Sequence, residues 1–416
     1  MEQDIKVSVV MPSLNVQPYI RECMDSVVNQ TLKDMEIICV DAGSTDGTLE
    51  ILQAYAEKDK RIQVIISDKR SYGYQMNIGI TTARGEYIGI VETDDYIAAN
   101  MYEELYSLAK EHHVDIIKAD FKRFVDQDGK RLFYQGHIAN EKNLYQRVIN
   151  PAKEFQIFNT FGFSWAGLVK KSFLLDNEIE HHESPGASFQ DNGFFIQTYF
   201  FAKRIYFSKN SYYYLRRDNP NSSSNSTRGM MMLEEYEFIT KKLKRYPQIY
   251  EKFKYIYAVL RMKNYLFAIE RMPNDQKKEF IDQFSKEFNK LKVAGELDEK
   301  LFTSRWEEIC EIIDTPENYF ILHHFRPEQC CSPDDASQAV YLYRINRLIA
   351  LKLEGLQNSI EYRIGSIIIW PWRKINGGIK CLRDHGLDYT IRRIIEHFGI
   401  PMNAEMSRNQ DKDIWR

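Results

Sequence analysis

The stretch Gly85-Glu86-Tyr87-Ile88-Gly89-Ile90-Val91-Glu92-Thr93-Asp94-Asp95 decides the fold, because an apolar strand in it ends in three acidic side chains. A carboxylate costs too much free energy to bury unpaired, so such a cluster usually meets a cation, a phosphate-bound metal or a basic partner. In open α/β sheets, ligands bind beyond the carboxyl ends of the strands. The stretch therefore predicts a functional site at one edge of a sheet.

Short apolar runs alternate with amphipathic helical stretches on both sides of this strand. The alternating segments are residues 7–11, 20–30, 36–41, 48–59, 62–67, 73–83 and 87–92. Such alternation predicts an α/β fold, with a mostly parallel, Rossmann-like sheet and helices on both of its faces. The loops that follow the strands are then the candidate site.

Length and charge limit the classes of protein that fit. At 416 residues the chain is long enough for two or three domains. It carries 56 Lys and Arg against 59 Asp and Glu, a net charge of −3, which gives no reason to expect a nucleic-acid partner. Its six cysteines lack the spacing of a zinc site and are expected to be free thiols in a reducing cytosol.

The chain divides at changes in composition. The polar segment 219–226 predicts an exposed loop, so we place the end of a catalytic domain at residue 228. Residues 229–333 are rich in Lys and Glu among spaced aromatic and aliphatic residues, which predicts a helical domain. Residues 334–416 are predicted to form a helical, basic tail.

Apolar residues in the tail recur at alternating steps of four and three, the spacing of a narrow helical seam. The seam positions are Leu342, Asn346, Ile349, Leu353, Leu356, Ile360, Arg363 and Ile367. The seam predicts either a homo-oligomer through paired tail helices or a helix packed on its own chain.

Basic residues surround the aliphatic and aromatic run 367–372, and residues 341–400 hold ten Lys and Arg against five Asp and Glu. This mixture suits an anionic membrane surface, and a solvated basic face is the alternative. No apolar stretch reaches the roughly 20 residues that a membrane span needs. The acidic start of the chain does not resemble a signal peptide, so we expect a cytoplasmic protein, with peripheral attachment to the inner face of the membrane as an option.

Four ordered motifs resemble those of family-2 glycosyltransferases with the GT-A fold, the group that builds bacterial capsule, lipopolysaccharide and related surface glycans. Residues 9–15 resemble the family's opening strand and P-x-x-N turn, and residues 38–48 its V-D-D-G-S-T-D-G motif. Residues 73–79 and the acidic segment 92–95, in place of D-S-D-D, complete the set. The resemblance covers residues 5 to 215.

Pro12 to Asn15 and Asp41 to Ser44 would lie at the same sheet edge and wall a nucleotide. Asp41 can accept a hydrogen bond from the imide N–H of uracil, a role that the resemblance also implies. Ser44 to Asp46 can equally cap a helix. Ala42 replaces the family's second Asp and removes one polar wall of this pocket. The predicted donor-nucleotide residues are Pro12, Ser13, Asn15, Asp41, Gly73, Gln75, Asn77, Glu92, Thr93 and Arg216.

A nucleotide-sugar donor brings two phosphates, whose charge Mg²⁺ or Mn²⁺ held by one or two carboxylates can offset. The resemblance implies that Asp94 is the principal metal ligand, with Asp95 beside it. Glu92 stands where the family usually has Asp, which leaves its contact to ribose or metal open. A structural acidic turn is the alternative. Many relatives add a His ligand after the catalytic base, and none lies between Asp191 and His323.

Inversion at the anomeric carbon needs a base that takes the proton of the acceptor hydroxyl. The resemblance places that base at Asp191, in a segment that matches the family's E-D-x-x-F with Gln190 for Glu. The Pro and Gly of residues 183–187 predict a fixed turn that aims the carboxylate into a cleft. Capping of the following helix is the alternative function of Asp191.

Two further residues complete the predicted site. Trp165 lies in a segment where the family places an aromatic residue near the acceptor, and an indole stacks well on the C–H face of a sugar, although core packing is equally open. Arg216 resembles the Arg of the family's Tyr-x-Arg segment and could stabilise the leaving diphosphate, with a surface charge as the alternative.

Together these features predict an inverting, metal-dependent glycosyltransferase of the hexosyl or N-acetylhexosaminyl type. It would transfer a sugar from a nucleotide-diphosphate donor, with UDP expected, to a hydroxyl of a surface glycan or a lipid-linked acceptor. A nucleotidyltransferase is one alternative, although residues 12–17 lack the Gly- and Lys-rich loop that binds a triphosphate. A non-catalytic assembly subunit that retains the fold is the other, favoured by Ala42 and Glu92.

Overall fold

The computed structural model describes residues 4–222 and 227–324, together with residues 346, 349, 350 and 353. The strands are β1 (Val7–Ser13), β2 (Met35–Asp41), β3 (Ile62–Ile66), β4 (Tyr87–Ile90), β5 (Tyr96–Ile97), β6 (Ile116–Gln127), β7 (Lys130–Gly136), β8 (Val148–Ile149), β9 (Gly167–Lys170) and β10 (Ile205–Arg216). The α-helices are α1 (Gln17–Val28), α2 (Thr48–Lys58), α3 (Tyr72–Thr82), α4 (Met101–Glu111), α5 (Lys171–Asp176), α6 (Gln190–Phe201), α7 (Met231–Lys244), α8 (Pro247–Arg271), α9 (Asn274–Val293), α10 (Glu299–Phe302), α11 (Trp306–Asp314) and α12 (Pro316–His323).

One sheet with the strand order β3-β2-β1-β4-β9-β6-β10-β5 forms the centre of the described chain. Strands β3, β2, β1 and β4 are parallel to one another, which confirms the α/β fold class predicted from the alternating pattern. Strand β9 is antiparallel to both of its neighbours, so the sheet is mixed beyond β4. The sequence did not indicate this second part, in which β6 is antiparallel to β9 and parallel to β10.

Three of the four parallel strands are buried along their whole length, and β3, at the edge of the sheet, is partly exposed. Every residue of β1, β2 and β4 is buried, as is typical of strands covered by helices on both faces. Because these strands run in the same direction, the segments that follow them meet at one edge of the sheet. The turn after β1, the loop after β2 and the acidic segment after β4 are thus neighbours, as predicted.

Helix α3 packs closely on the sheet and on the loop before α6 through two glycines. A Cβ atom on Gly79 would lie 2.3 Å from a side-chain carbon of Val10 in β1. A Cβ atom on Gly73 would lie 1.9 Å from the backbone oxygen of His182. Only glycine allows the backbone of α3 to approach this closely at either point.

The region after β10 is helical in its described part, as predicted. Residues Met1–Phe320 form one compact unit, which contains the sheet and helices α7 to α11. The Asn264 amide donates to Asn192 Oδ1 at 2.8 Å and so joins α8 to α6. The predicted domain limits at 228 and 333 stay predictions.

Helix α7 meets the same loop through an ion pair. Glu235 is only 1% exposed, and its Oε2 lies 3.1 Å from Nδ1 of His182. The His182 ring also stacks on Phe238, with 4.7 Å between centroids. The hydrogen bond to Glu235 raises the pKa of His182. Helix α7 is therefore fastened to the loop that leads to α6.

Most of the predicted basic tail, 334–416, lies outside the described residues. Asn346, Ile349 and Leu353 are helical, and these are three positions of the predicted seam. Its pairing and its attachment to a membrane stay predictions. Within the described ranges, no helix combines the length and apolar character needed to cross a bilayer.

The close contact at Gly73 generates a stability prediction. Gly73→Ala would place a methyl group against a backbone carbonyl that cannot rotate away, so we expect the free energy of unfolding to fall by about 1–3 kcal/mol. Urea unfolding measures it. Thr81→Ala, at an exposed position of the same helix, is the control and should leave stability unchanged or slightly higher. Equal stability of Gly73→Ala and the natural protein would contradict the packing described.

Candidate active site

Asp41, at the end of β2, is fully buried, with 0% exposure. Its Oδ1 accepts hydrogen bonds from the backbone N–H groups of Gly43 (3.0 Å) and Ser44 (2.8 Å). Its Oδ2 accepts from the hydroxyls of Ser13 (3.0 Å) and Ser44 (2.6 Å). In this structure Asp41 shapes the loop after β2, and the predicted bond to uracil would have to replace one of these four.

The turn after β1 is bonded to the loop after β2 and to the acidic segment. Asn15 adopts a positive φ of 54°, its N–H donates to Ser44 Oγ, and its Oδ1 accepts from the N–H of Thr45, both at 2.9 Å. The Thr93 hydroxyl donates to the carbonyl of Pro12 at 2.8 Å. The predicted nucleotide walls therefore lie together as one bonded surface at the edge of the sheet.

Two predicted donor-binding residues of α3 serve as links within the protein. The buried Gln75 amide donates to the carbonyls of Ser13 (2.9 Å) and Val40 (2.6 Å), which joins the ends of β1 and β2. The Asn77 amide donates to the carbonyl of His181 at 3.0 Å and accepts from its N–H at 2.9 Å. Both side chains hold the walls of the site in place from behind.

The helix-capping alternative for residues 44–46 is seen at Asp46. Its Oδ1 accepts from the N–H of Thr48 at 3.0 Å, in the first turn of α2. Its Oδ2 accepts from the N–H of Gln17 at 2.9 Å, at the start of α1. A single carboxylate thus satisfies free N–H groups of two helices that border the predicted nucleotide pocket.

The two aspartates of the acidic segment have different surroundings. Asp95 is 2% exposed, and it accepts hydrogen bonds from the hydroxyl of Tyr213 (2.8 Å) and the N–H of Arg216 (2.7 Å) in β10. Burial, and next the charge of Asp94, raise the pKa of Asp95 well above its ordinary value. Asp94 is half-buried, with Oδ2 accepting from the Asn219 amide at 2.7 Å. Asp95 therefore anchors the turn on its buried side, and Asp94 is the more exposed of the two aspartates.

Arg216 is buried, with 6% exposure, which removes the surface-charge alternative. Its Nε donates to the backbone carbonyl of Asp94 at 3.0 Å. The rest of its guanidinium contacts Glu22 at 2.7 Å, Asp126 at 3.1 Å and Asp218 at 3.3 Å. Through these contacts Arg216 anchors the acidic turn. Its predicted contact with a diphosphate would compete with them.

The acidic turn fits a divalent cation that takes part of its coordination from a substrate. Both oxygens of Asp95 already accept hydrogen bonds, whereas Asp94 is only half-buried and its Oδ2 accepts from the amide of the buried Asn219. Across residues 4–222 and 227–324, no group of three or more His, Cys, Asp or Glu side chains has the arrangement of a metal site. Mg²⁺ is commonly held by one or two carboxylates plus phosphates and waters, which matches this set.

Asp191, the predicted base, lies in the first turn of α6 and is brought to the acidic edge by Tyr72. The Tyr72 hydroxyl is 3.5 Å from Asp191 Oδ1, 2.8 Å from Glu92 Oε1 and 3.2 Å from the hydroxyl of Ser164. Burial raises the pKa of Asp191. Burial, and next the charge of Asp191, raise the pKa of Glu92 to about 8. The carboxyl groups of Glu92 and Asp191 therefore share one largely buried environment, the setting in which acid and base catalysts are found.

The loop before Asp191 is fixed by backbone pairing with the start of α3. The N–H of Gly186 donates to the carbonyl of Arg70 at 2.8 Å, and the N–H of Tyr72 donates to the carbonyl of Gly186 at 2.9 Å. The buried amide of Gln190 donates to the hydroxyl of Ser184 at 2.9 Å. The loop has the fixed geometry that its Pro and Gly predicted, and it aligns Tyr72 with the base.

Trp165 does not present an open face to a sugar in this structure. It is 4% exposed, and its indole stacks on Phe163 at 4.3 Å and on Tyr213 at 4.6 Å between centroids. Phe161, 44% exposed, stacks on Phe163 with 5.4 Å between ring centroids. The arrangement favours core packing, the alternative that the sequence left open, over an acceptor platform at Trp165.

Several residues of the site were missed from the sequence. Tyr72 precedes the Gly73 motif and carries no motif signal of its own, while Tyr213 and Asn219 act only through contacts across the fold. Lys118 could have been singled out from the sequence, because a lysine in the interior of an apolar strand is unusual unless it is paired. Long-range contacts of this kind become visible only in three dimensions.

Comparison with known proteins agrees with this geometry. The sequence model of Glycosyl transferase family 2 matches residues 8–173. Glycosyltransferase GlyG of Streptococcus pneumoniae is 34% identical over 216 residues, which are 51% of this chain and 70% of GlyG. The uncharacterized glycosyltransferase EpsJ of Bacillus subtilis is 31% identical over 223 residues, and the match spans 52% of this chain and 62% of EpsJ.

A solved structure shares the architecture. S. aureus TarS 1–349 in complex with UDP-GlcNAc superimposes with a TM-score of 0.59 at 20% identity, over 76% of this chain and 91% of that chain. At this identity the likeness shows the fold alone. The sheet, the acidic edge and the relatives define a glycosyltransferase with the GT-A fold. The chain belongs to glycosyl transferase family 2.

The contacts of Arg216 generate a prediction that separates fastening from diphosphate binding. Arg216→Met would remove one buried donor from Glu22, Asp126, Asp218 and the Asp94 carbonyl, so we expect the free energy of unfolding to fall by about 3 kcal/mol. Arg217→Met, at the exposed neighbouring position, is the control and should be neutral. Thermal and urea unfolding measure both. Unchanged stability with lost nucleotide affinity would instead assign Arg216 to the diphosphate.

Proposed function

We propose that this glycosyltransferase transfers a hexosyl or N-acetylhexosaminyl residue from a UDP-sugar to a hydroxyl group of a surface glycan or a lipid-linked acceptor. The transfer inverts the anomeric centre and requires a divalent cation. The observation that carries the proposal is the meeting of Asp191 and the acidic edge, with the Tyr72 hydroxyl 3.5 Å from Asp191 and 2.8 Å from Glu92.

Asp191 has the properties of a general base. Its position in the first turn of α6 lets the helix dipole stabilise the ionised carboxylate. Its raised pKa makes it a stronger proton acceptor than a solvated aspartate once it is ionised. In the proposed reaction Asp191 takes the proton of the acceptor hydroxyl, while that oxygen forms the new glycosidic bond and the bond to the diphosphate breaks.

The donor side of the proposal is supported by the surface that the β1 turn and the β2 loop form together. TarS, whose fold this chain shares, has been solved with UDP-GlcNAc, which supports a UDP-sugar here. Ala42 is almost fully buried and leaves Asp41 as the acidic group of this wall. Gly43 and Ser44, which are partly exposed, would then form the base-binding side.

A divalent cation would supply charge neutralisation of the departing diphosphate. Asp94 would hold it, with Asn219 orienting the Asp94 carboxylate through the 2.7 Å hydrogen bond. Asp95 and Arg216 keep the turn in place from the buried side. These residues thus place one negative charge beside the predicted diphosphate position.

The acceptor side is supported by relatives. Poly(ribitol-phosphate) beta-glucosyltransferase of Bacillus spizizenii is 35% identical over 225 residues, which are 53% of this chain and 34% of that protein. That name describes transfer of a sugar to a polymer, which is in keeping with an acceptor hydroxyl on a surface polymer.

Replacement of the base tests the proposal most directly. Asp191→Asn keeps the shape of the side chain but cannot take a proton, so we expect turnover to fall by about 10² to 10⁴ with donor affinity little changed. Initial rates with a UDP-sugar and a glycan acceptor, together with UDP binding by calorimetry, measure both. Asp176→Asn, at an exposed position, is the matched control.

The stereochemistry of the product supplies the decisive outcome for the same mechanism. Inversion of the anomeric configuration, read by NMR of the product, is expected. A product that retains the donor's configuration would overturn the assignment of Asp191, because retention does not use a base on the face opposite the leaving group.

Removal of the outward aspartate tests the cation. In Asp94→Ala we expect UDP to bind equally with and without Mn²⁺, whereas the natural protein binds UDP more tightly with Mn²⁺. Calorimetry measures the difference, and unfolding curves check that the fold is retained. Asp176→Ala is the control and should keep the Mn²⁺ effect. Full turnover of the natural protein in excess chelator would refute the cation requirement.

A further inference from the structure

Lys118 is a charged residue in a position that normally takes an apolar one. It lies in the interior of β6, paired with Gly167 of β9, between Ile117 and Ala119, and is only 4% exposed. Burying an ammonium group without partners costs a large part of the small free energy that stabilises a folded domain. Its retention in this strand therefore calls for specific partners.

Its partners are three successive backbone carbonyls. Lys118 Nζ donates to the carbonyl oxygens of Phe163 (3.0 Å), Ser164 (2.6 Å) and Trp165 (2.7 Å). An ammonium has three N–H donors, so the set is matched one to one. A Cβ atom on Gly167 would lie 2.1 Å from the backbone oxygen of Ile117 and 2.7 Å from Lys118 Cδ, so glycine allows both the backbone of β6 and the lysine chain to approach. Segment 163–167 is wrapped around this ammonium.

Segment 163–167 is connected to the proposed base, Asp191, through side-chain contacts. Ser164 is buried, and its hydroxyl lies 3.2 Å from the hydroxyl of Tyr72, which reaches both Glu92 and Asp191. Burial raises the pKa of Asp191, while the Ser164 hydroxyl and the charge of Lys118 lower it. Burial also lowers the pKa of Lys118 to about 7, and the charge of Asp191 opposes that. The lysine and the base are thus linked by contacts and by charge.

Other charged groups act on Asp191 from the surrounding elements. Burial raises the pKa values of Glu92, which follows β4, and of Glu235 in α7, and the charge of Asp191 adds to both shifts. Tyr72 of α3 adds its hydroxyl. Both carboxylates oppose a charge on Asp191, and Lys118 favours it.

We propose that Lys118 is a positioning residue for the catalytic base: its ammonium fixes residues 163–165 so that Ser164 and Tyr72 face Asp191, and its charge keeps the Asp191 carboxylate ionised. The inference rests on the proposed function, in which Asp191 accepts the proton. It adds a residue from the centre of the sheet that touches neither substrate.

The test is the pH profile of kcat for full-length Lys118→Met and Lys118→Arg, with saturating donor and acceptor. Asp191 accepts a proton only when it is ionised, so a higher pKa moves the acidic limb of the profile to higher pH. A shift of one pKa unit lowers kcat about tenfold on that limb and leaves the plateau above it unchanged. We expect such a shift for Lys118→Met and a smaller one for Lys118→Arg, which keeps the charge.

Lys242→Met is the matched control. Lys242 is also 4% exposed and contacts Glu180 at 3.1 Å, away from the carbonyls of residues 163–165. We expect it to lose stability without moving the acidic limb. Loss of kcat by the same factor at every pH in Lys118→Met would show a purely structural lysine and overturn the inference.

Ser164→Ala keeps the test decisive if Lys118→Met does not fold. It removes the hydroxyl between the lysine-bound segment and Tyr72 and leaves the ammonium in place, so the acidic limb should again move to higher pH. An unmoved limb in Ser164→Ala would refute the proposed path to the base. Failure of the proposed function is recognised separately, because Asp191→Asn would then retain the turnover of the natural protein.

Discussion

The anchoring of Asp95 to β10 is the constraint on which the rest of the site depends. Its carboxylate is withdrawn from solvent and held by Tyr213 and by the backbone of Arg216. Because Asp95 holds one end of the acidic turn on the buried side, Asp94 is the more exposed of the two aspartates and is the one proposed to hold a cation. A buried carboxylate with two donors is costly to leave unpaired, so the turn has one favourable arrangement.

The parallel half of the fold and the meeting of its loops could be predicted from the sequence. Periodicity gave β1, α1, β2, α2, β3, α3 and β4 within a few residues, because buried parallel strands are continuous apolar runs. The motifs at the ends of these strands could also be located in the sequence. The direction of the strands alone predicts that these motifs lie close together.

The partners within the site could not be predicted, since they join segments far apart in the chain. Arg216 was expected at a diphosphate, and its partners became apparent only when β10 was seen beside Asp126 of β6 and Glu22 of α1. Trp165 was open between two functions until its stacking was known. The strands that bring these residues together, parallel for β6 and β10 and antiparallel for β9, have no local pattern that specifies their order.

The contacts between α7 and the loop before α6 have a consequence for how such proteins diversify. Glu235 pairs with His182, and Asn264 pairs with Asn192, one residue after the proposed base. Each pair has one member in the α/β part and one in the helical region. Exchange of helical regions between relatives would therefore leave buried polar groups unmatched, so the two parts should be inherited together, with paired substitutions at these positions across descendants.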